Sequence, residues 1–183
     1  MVLLTDRAII DRVLHGRTDE FRELMLRYQN RVFRLASGVL NSREEAEDAT
    51  QEAFLKAYAG LRTYRADSGV WPWLRRISLN VCLDRIRARF PCESLESLPE
   101  TECHTDAPEI EALKQVSLER INVAIGGLPE RYRAVIVLRY QEDLSYQEIS
   151  ELLGEPLSSV QTWLHRAKQM LARKLGVMEH EML

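Results

Sequence analysis

The chain has 183 residues, of which 29% are charged, and its formal net charge is −3. That length holds one domain or two small ones, and 8 Gly and 6 Pro are too few for a disordered chain. No run approaches the ~18 consecutive apolar residues of a membrane span, and the Met1 end carries Asp6, Asp11 and several Arg instead of a secretory signal, so a cytoplasmic protein without membrane insertion is expected.

Strand-like alternation is almost absent, and the pattern predicts helices throughout. From about Thr5 to Leu40 two helices are expected, broken near His15-Gly16-Arg17-Thr18. Asp19 opens the second, whose stripe is Phe21, Leu24, Met25, Tyr28, Val32, Leu35 and Val39. Ser42 with Glu45 forms a capping-box start for a helix running to about Leu61. One face of that helix is small and apolar, with Ala46, Ala49, Ala53 and Ala57 beside Phe54 and Tyr58. Another face carries Asp48, Gln51, Glu52 and Leu55 at i, i+3, i+4 and i+7. Two readings fit the second face: a solvated surface, or an acidic docking surface for a partner helix.

The stretch Thr63 to Val70 reads as a loop with Tyr64 and Arg65 exposed beside turn-forming Asp67, Ser68 and Gly69. Pro72 suits the first turn of a helix continuing to about Arg89. There Leu74, Ile77 and Val81 face inward, whereas Arg76, Asn80, Leu83 and Arg87 share the opposite side. Trp71 and Trp73 read as core anchors, since an indole buries a large area and needs one hydrogen-bond partner. Arg75, Arg76, Arg85, Arg87 and Arg89 crowd beside a single Asp84, and an aromatic loop feeding a basic helix suits single-stranded nucleic acid.

Charge is sorted along the chain. Residues 1–90 hold 16 Lys and Arg against 12 Asp and Glu, residues 91–112 hold none against 7, and residues 113–183 hold 9 against 9. From Phe90 to Pro108 periodicity vanishes, and three prolines with dense acidity mark a flexible linker. Extended, its ~20 residues at up to 3.6 Å each would reach ~70 Å.

After the linker an amphipathic helix from Glu109 to Ile125 is expected through Leu113, Val116, Ile121 and Ile125, and Pro129 starts another with Tyr132, Val135, Ile136 and Leu138 inward. Ser145 with Glu148 is a second capping box, and Ile149, Leu152 and Leu153 follow until Gly154 and Pro156 stop the helix. Ser158 with Gln161 is expected to cap a longer helix buried through Val160, Leu164, Ala167 and Leu171. Its far side carries Ser158, Thr162, His165, Gln169 and Arg173, flanked by Gln161 and Arg166. This is the layout of a helix-turn-helix, whose second helix enters the major groove.

Other chemistries find no support in the sequence. Cys82, Cys92 and Cys103 are odd in number and unevenly spaced, which argues against disulfides. No CxxC pair accompanies Cys92 or Cys103-His104, so no metal site is expected. A Gly-rich phosphate loop, a Ser/His/Asp set and a paired-His helix are all missing, so neither an enzyme nor a cofactor is expected.

Taken together, DATQEAFLKAY at Asp48, WPWLRRISLNVCLDRIR from Trp71, an acidic linker, LPERYRAVIVLRYQEDLSYQEISELLG from Leu128 and SSVQTWLHRAKQML from Ser158 resemble a bacterial sigma factor of the sigma-70 family. The order and the two-domain length resemble its small extracytoplasmic-function (ECF) group. The resemblance implies an all-α chain. Residues 1–90 would form sigma region 2, residues 91–108 the linker, and residues 109–183 region 4.

It also implies roles. Asp48, Gln51, Glu52 and Leu55 match the docking surface for the coiled coil of the RNA polymerase β′ subunit. Tyr64 to Val70 match the loop that captures a flipped base of the −10 element. Tyr64, Arg65, Arg75, Arg76, Asn80 and Arg87 would engage that melted DNA, and the acidic linker would thread toward the polymerase active-site cleft. Ser158, Ser159, Gln161, Thr162, His165, Arg166 and Lys168 match the helix that reads the −35 element of promoter DNA, with the preceding helices on the β flap. An anti-sigma protein is a further implied partner. Many relatives carry a basic residue at Gln161 and Trp163, so this face has fewer phosphate contacts than usual and the −35 sequence of those relatives does not carry over to this chain. Two other readings stay open: a sigma-like decoy that binds an anti-sigma protein but not DNA, and a dimeric helix-turn-helix repressor.

Overall fold

The computed structural model describes residues 4–65, 69–89 and 118–176. The expected linker, the helix start from Glu109 to Ser117, Asp67, Ser68, Cys92, Cys103 and His104 lie outside the described residues. Among the described residues every regular element is helical, and the chain divides into two compact units, Met1–Pro91 and Cys92–Leu183.

In the first unit, α1 (Asp6–Leu14) leads through a short 3-10 turn at Thr18–Glu20 into α2 (Phe21–Leu40), then α3 (Arg43–Ala59) and α4 (Val70–Arg89). Each boundary has a local cause. The Thr5 hydroxyl accepts the Ala8 N–H at the start of α1, and the Ser42 hydroxyl accepts the Glu45 N–H at the start of α3. Asn41 ends α2 in the left-handed conformation at φ 54°, which asparagine tolerates better than most side chains. Ala46, Ala49, Ala53 and Ala57 of α3 are buried, so α2 and α4 can approach its backbone closely. Leu24, Val32, Leu35, Val39, Phe54, Leu74, Leu79 and Val81 are buried with them, as is Ile9 from α1. Met25 and Tyr58, expected on buried stripes, are instead 37% and 43% exposed, because each sits at the rim of its stripe.

The second unit contains α5 (Leu118–Gly126), α6 (Glu130–Ile136), a π turn at Val137–Gln141, α7 (Tyr146–Leu153) and α8 (Leu157–Leu175). The sequence pattern gives α6 a single inward side, yet every residue from Tyr132 to Leu138 is buried. The cause is topological, because α6 packs against both α5 and α8 while the π turn that continues it packs against α7. Burial on all sides includes Arg133, whose guanidinium donates to the Gly126 and Leu128 carbonyls at 3.0 Å each and so closes the C-terminal end of α5.

Candidate nucleic-acid interface

On α4 the sequence-expected row is present on the surface. Arg76, Asn80 and Arg87 are exposed, with Leu83 half-buried among them, and at 1.5 Å per residue the row spans ~16 Å. Arg75 is half-buried and lies about 100° round the helix from Arg76, off that row.

The loop before α4 is anchored at its helical end. Trp71 is buried, lies parallel to Tyr28 at 6.2 Å and 6°, and carries the Arg31 guanidinium 4.0 Å from its ring centroid. The Tyr28 hydroxyl donates to Asp6 at 2.6 Å, and Arg27 donates to the same carboxylate at 2.8 Å, so α1, α2 and the start of α4 are pinned together. Burial, and then the Asp6 carboxylate, push the Tyr28 phenol up to about 12. Arg65 is exposed as expected. Tyr64 is not fully so: it is half-buried, edge-on to Trp73 at 5.5 Å and 63°. Gly69 turns the chain toward α4 at φ +74°, where a side chain would be strained.

On α3, Asp48, Gln51 and Leu55 are exposed, Leu55 by 71%. Glu52 is only partly so. Its Oε2 accepts from Arg85 at 2.8 Å and its Oε1 faces Lys56 Nζ at 3.0 Å. Lys56 first and Arg85 second hold its carboxyl below the usual carboxylate range. Behind this pair Cys82 is buried, and desolvation pushes its thiol up to about 12, leaving it inert at neutral pH.

In the second unit the capping box at α7 is complete. The Ser145 hydroxyl accepts the Glu148 N–H at 3.2 Å, and the Glu148 carboxylate accepts the Ser145 N–H at 2.8 Å. Gly154 then takes φ +70°, and Pro156 directs the chain into α8. The expected cap at Ser158 is not made. Pro156 occupies the cap position, its carbonyl accepting the Val160 N–H, and α8 begins at Leu157, so Ser158 already lies inside the first turn. Its exposed hydroxyl and the uncapped first-turn N–H groups instead form a helix N-terminus open to an anion.

Val160, Leu164 and Ala167 are buried as expected, Leu171 is half-buried, and Leu175 closes the stripe. Opposite them, Ser158, Thr162, His165 and Gln169 share one face, where the Thr162 hydroxyl donates to the Ser158 carbonyl at 2.9 Å and Gln169 lies 3.0 Å from His165. Helical geometry sets Gln161 and Lys168 on one flank of that face and Ser159 and Arg166 on the other. Ser159, Arg166 and Lys168 are half-buried, and Gln161 is exposed. Trp163 is half-buried beside the stripe. Among the described residues, no group of three or more His, Cys, Asp or Glu could hold a metal ion, and no helix is long and apolar enough to cross a membrane.

Residues 24–89 match Sigma-70 region 2, and residues 118–171 match Sigma-70, region 4. The chain is 36% identical to the ECF RNA polymerase sigma-E factor of Haemophilus influenzae, over 94% of this chain and 96% of that one. The chain belongs to the sigma-70 family, in its ECF group. The ECF RNA polymerase sigma factor SigW of Bacillus subtilis is also 36% identical, over 91% and 94% of the two chains. Two solved structures share the fold. The sigma factor RpoE of Bartonella quintana, solved with the anti-sigma factor NepR, gives a TM-score of 0.62 at 20% identity, over 87% of this chain and 98% of that one. CnrH, solved with the cytosolic domain of CnrY, gives 0.60 at 23% identity, over 94% and 98%.

For this ECF chain, sequence reasoning missed Arg31, the Tyr28–Asp6–Arg27 cluster and Arg133. Periodicity marks which side a residue faces but not which distant side chain meets it. Arg85 is a correction of another kind. Counted in the sequence with the basic cluster, it turns toward α3 instead of joining the Arg76 row.

Proposed function

We propose that this ECF sigma factor acts in the cytoplasm as a dissociable specificity subunit, carrying RNA polymerase to promoters and opening them without itself transforming any bond. Asp48, Gln51, Glu52 and Leu55 dock the β′ coiled coil. Leu55 carries this reading furthest: a leucine 71% exposed on the same helical face as Asp48, Gln51 and Glu52 suits an apolar contact with a partner helix.

Tyr64 and Arg65, together with Arg75, Arg76, Asn80 and Arg87, hold the unwound −10 strand. Unstacking a base costs a few kcal/mol, and this is offset by stacking, pocket contacts and phosphate neutralisation. Ser158, Ser159, Gln161, Thr162, His165, Arg166 and Lys168 address the −35 duplex: those nearest the start of α8 reach base edges, and the flanking cations hold phosphates. The second unit also rests on the β flap, and residues 91–108 link the two promoter-binding bodies. An anti-sigma protein is the expected inhibitor, in keeping with the anti-sigma factor NepR solved with the RpoE neighbour. The exposed basic row on α4 favours this reading over a decoy that never meets DNA.

The test is equilibrium binding of labelled full-length protein to core polymerase. Asp48→Lys should weaken binding at least tenfold while the unfolding midpoint stays within a few degrees of the parent. Unchanged affinity would refute the docking assignment.

A further inference from the structure

On α4, Arg85 lies about 180° from the Arg76, Asn80 and Arg87 row, on the side of the buried residues Leu74, Ser78 and Val81. Its Nε is buried without a partner, and its side chain is 29% exposed against 64% for Arg87. The guanidinium reaches across to α3, 33 residues away in sequence, and donates to Glu52 Oε2 at 2.8 Å. Lys56 holds the other oxygen at 3.0 Å, so one cation sits on each oxygen and the carboxylate plane is fixed. One turn before Glu52, Asp48 is exposed, and Leu55 lies three residues after it.

We propose that Arg85 is a positioning residue of the polymerase-docking face, acting through Glu52, and not a contact to promoter DNA. This rests on the docking role proposed above for α3. A long side chain that is free before binding loses rotamer freedom when a partner immobilises it, whereas a carboxylate already clamped from a neighbouring helix has lost that freedom during folding. Arg85 therefore belongs to the docking surface although it is carried by the DNA-binding helix. The partner that Glu52 meets is a donor on a helix that also covers Leu55.

The experiment measures core-polymerase affinity, unfolding midpoint and the salt dependence of promoter binding by the reconstituted holoenzyme, using full-length variants. Arg85→Met should weaken core binding by about 3- to 10-fold, a factor set by the ordering cost of one side chain, even though it makes the face more acidic. Arg85→Lys should recover part of that loss, and the salt slope should match the parent.

The double exchange Glu52→Arg with Arg85→Glu restores an ion pair between α3 and α4. It should return the unfolding midpoint toward the parent while core binding stays weak. Three results would overturn the proposal: core affinity unchanged or raised in Arg85→Met, core affinity restored by the exchange, or a salt slope reduced by Arg85→Met. If Asp48→Lys weakens core binding and Arg85→Met does not, only this inference fails; if neither does, the docking role itself fails.

Discussion

Replacing Arg133 by Met asks what a buried cation contributes to the second unit. Arg133 is 5% exposed, and its guanidinium donates to two carbonyls at 3.0 Å, with Glu130 3.9 Å away. Methionine fills much of the same space but donates nothing, so the Gly126 and Leu128 carbonyls lose those bonds. Leaving a buried acceptor unsatisfied costs about 1–3 kcal/mol each. Gly126 is only half-buried and water can reach it, and removing a charge from the interior relieves some desolvation. The net expectation is a loss of about 2–4 kcal/mol, confined to the unit that carries the helix-turn-helix. Peptide-resolved hydrogen exchange on the full chain separates the two units. Amides of α6 and α8 should exchange roughly 30- to 1000-fold faster, while those of α2 and α3 stay unchanged. Rates within threefold of the parent, or slower ones, would refute the claim that Arg133 closes α5.

Other perturbations test single features. Asp143 is held at φ 52°, a conformation costly for a side chain, and Asp143→Gly should stabilise the second unit by up to about 1 kcal/mol, read as a higher unfolding midpoint. Arg87→Ala should weaken holoenzyme binding similarly across promoter sequences and reduce the salt slope by about 1, as loss of one phosphate contact requires. The Glu52 carboxyl is depressed in the folded chain by Lys56 and Arg85, so its contribution to stability is complete above the ordinary value of 4.5 and is lost as pH falls through the lower folded value. Glu52→Gln should therefore be less stable than the parent at neutral pH and lose less stability on acidification below pH 4.5, as measured by urea titration at each pH.

The legible parts of this chain are those with a local cause. The Ser145–Glu148 box and the Gly154 stop depend on residues three to nine apart, and the alanine face of α3 follows from helical repetition alone. The same logic misplaced the start of α8, because Ser158 with Gln161 and Pro156 are both valid starts and only the chain's path selects one. What the sequence hides is contact across elements. Arg85 reads as one more cation until α3 is brought beside it, and nothing in the pattern marks Arg133, whose burial follows only once α5 and α8 close over α6. Tyr64 reads as an exposed ring until Trp73 comes against its edge.

The most direct measurement is mapping of transcript starts in a reaction containing core polymerase, genomic DNA and this protein. A small set of discrete starts is expected, each preceded by shared −35 and −10 sequences, that disappear when the protein is omitted or when Asp48 is replaced by Lys. The same starts from core polymerase alone, or none with the protein present, would contradict the specificity role.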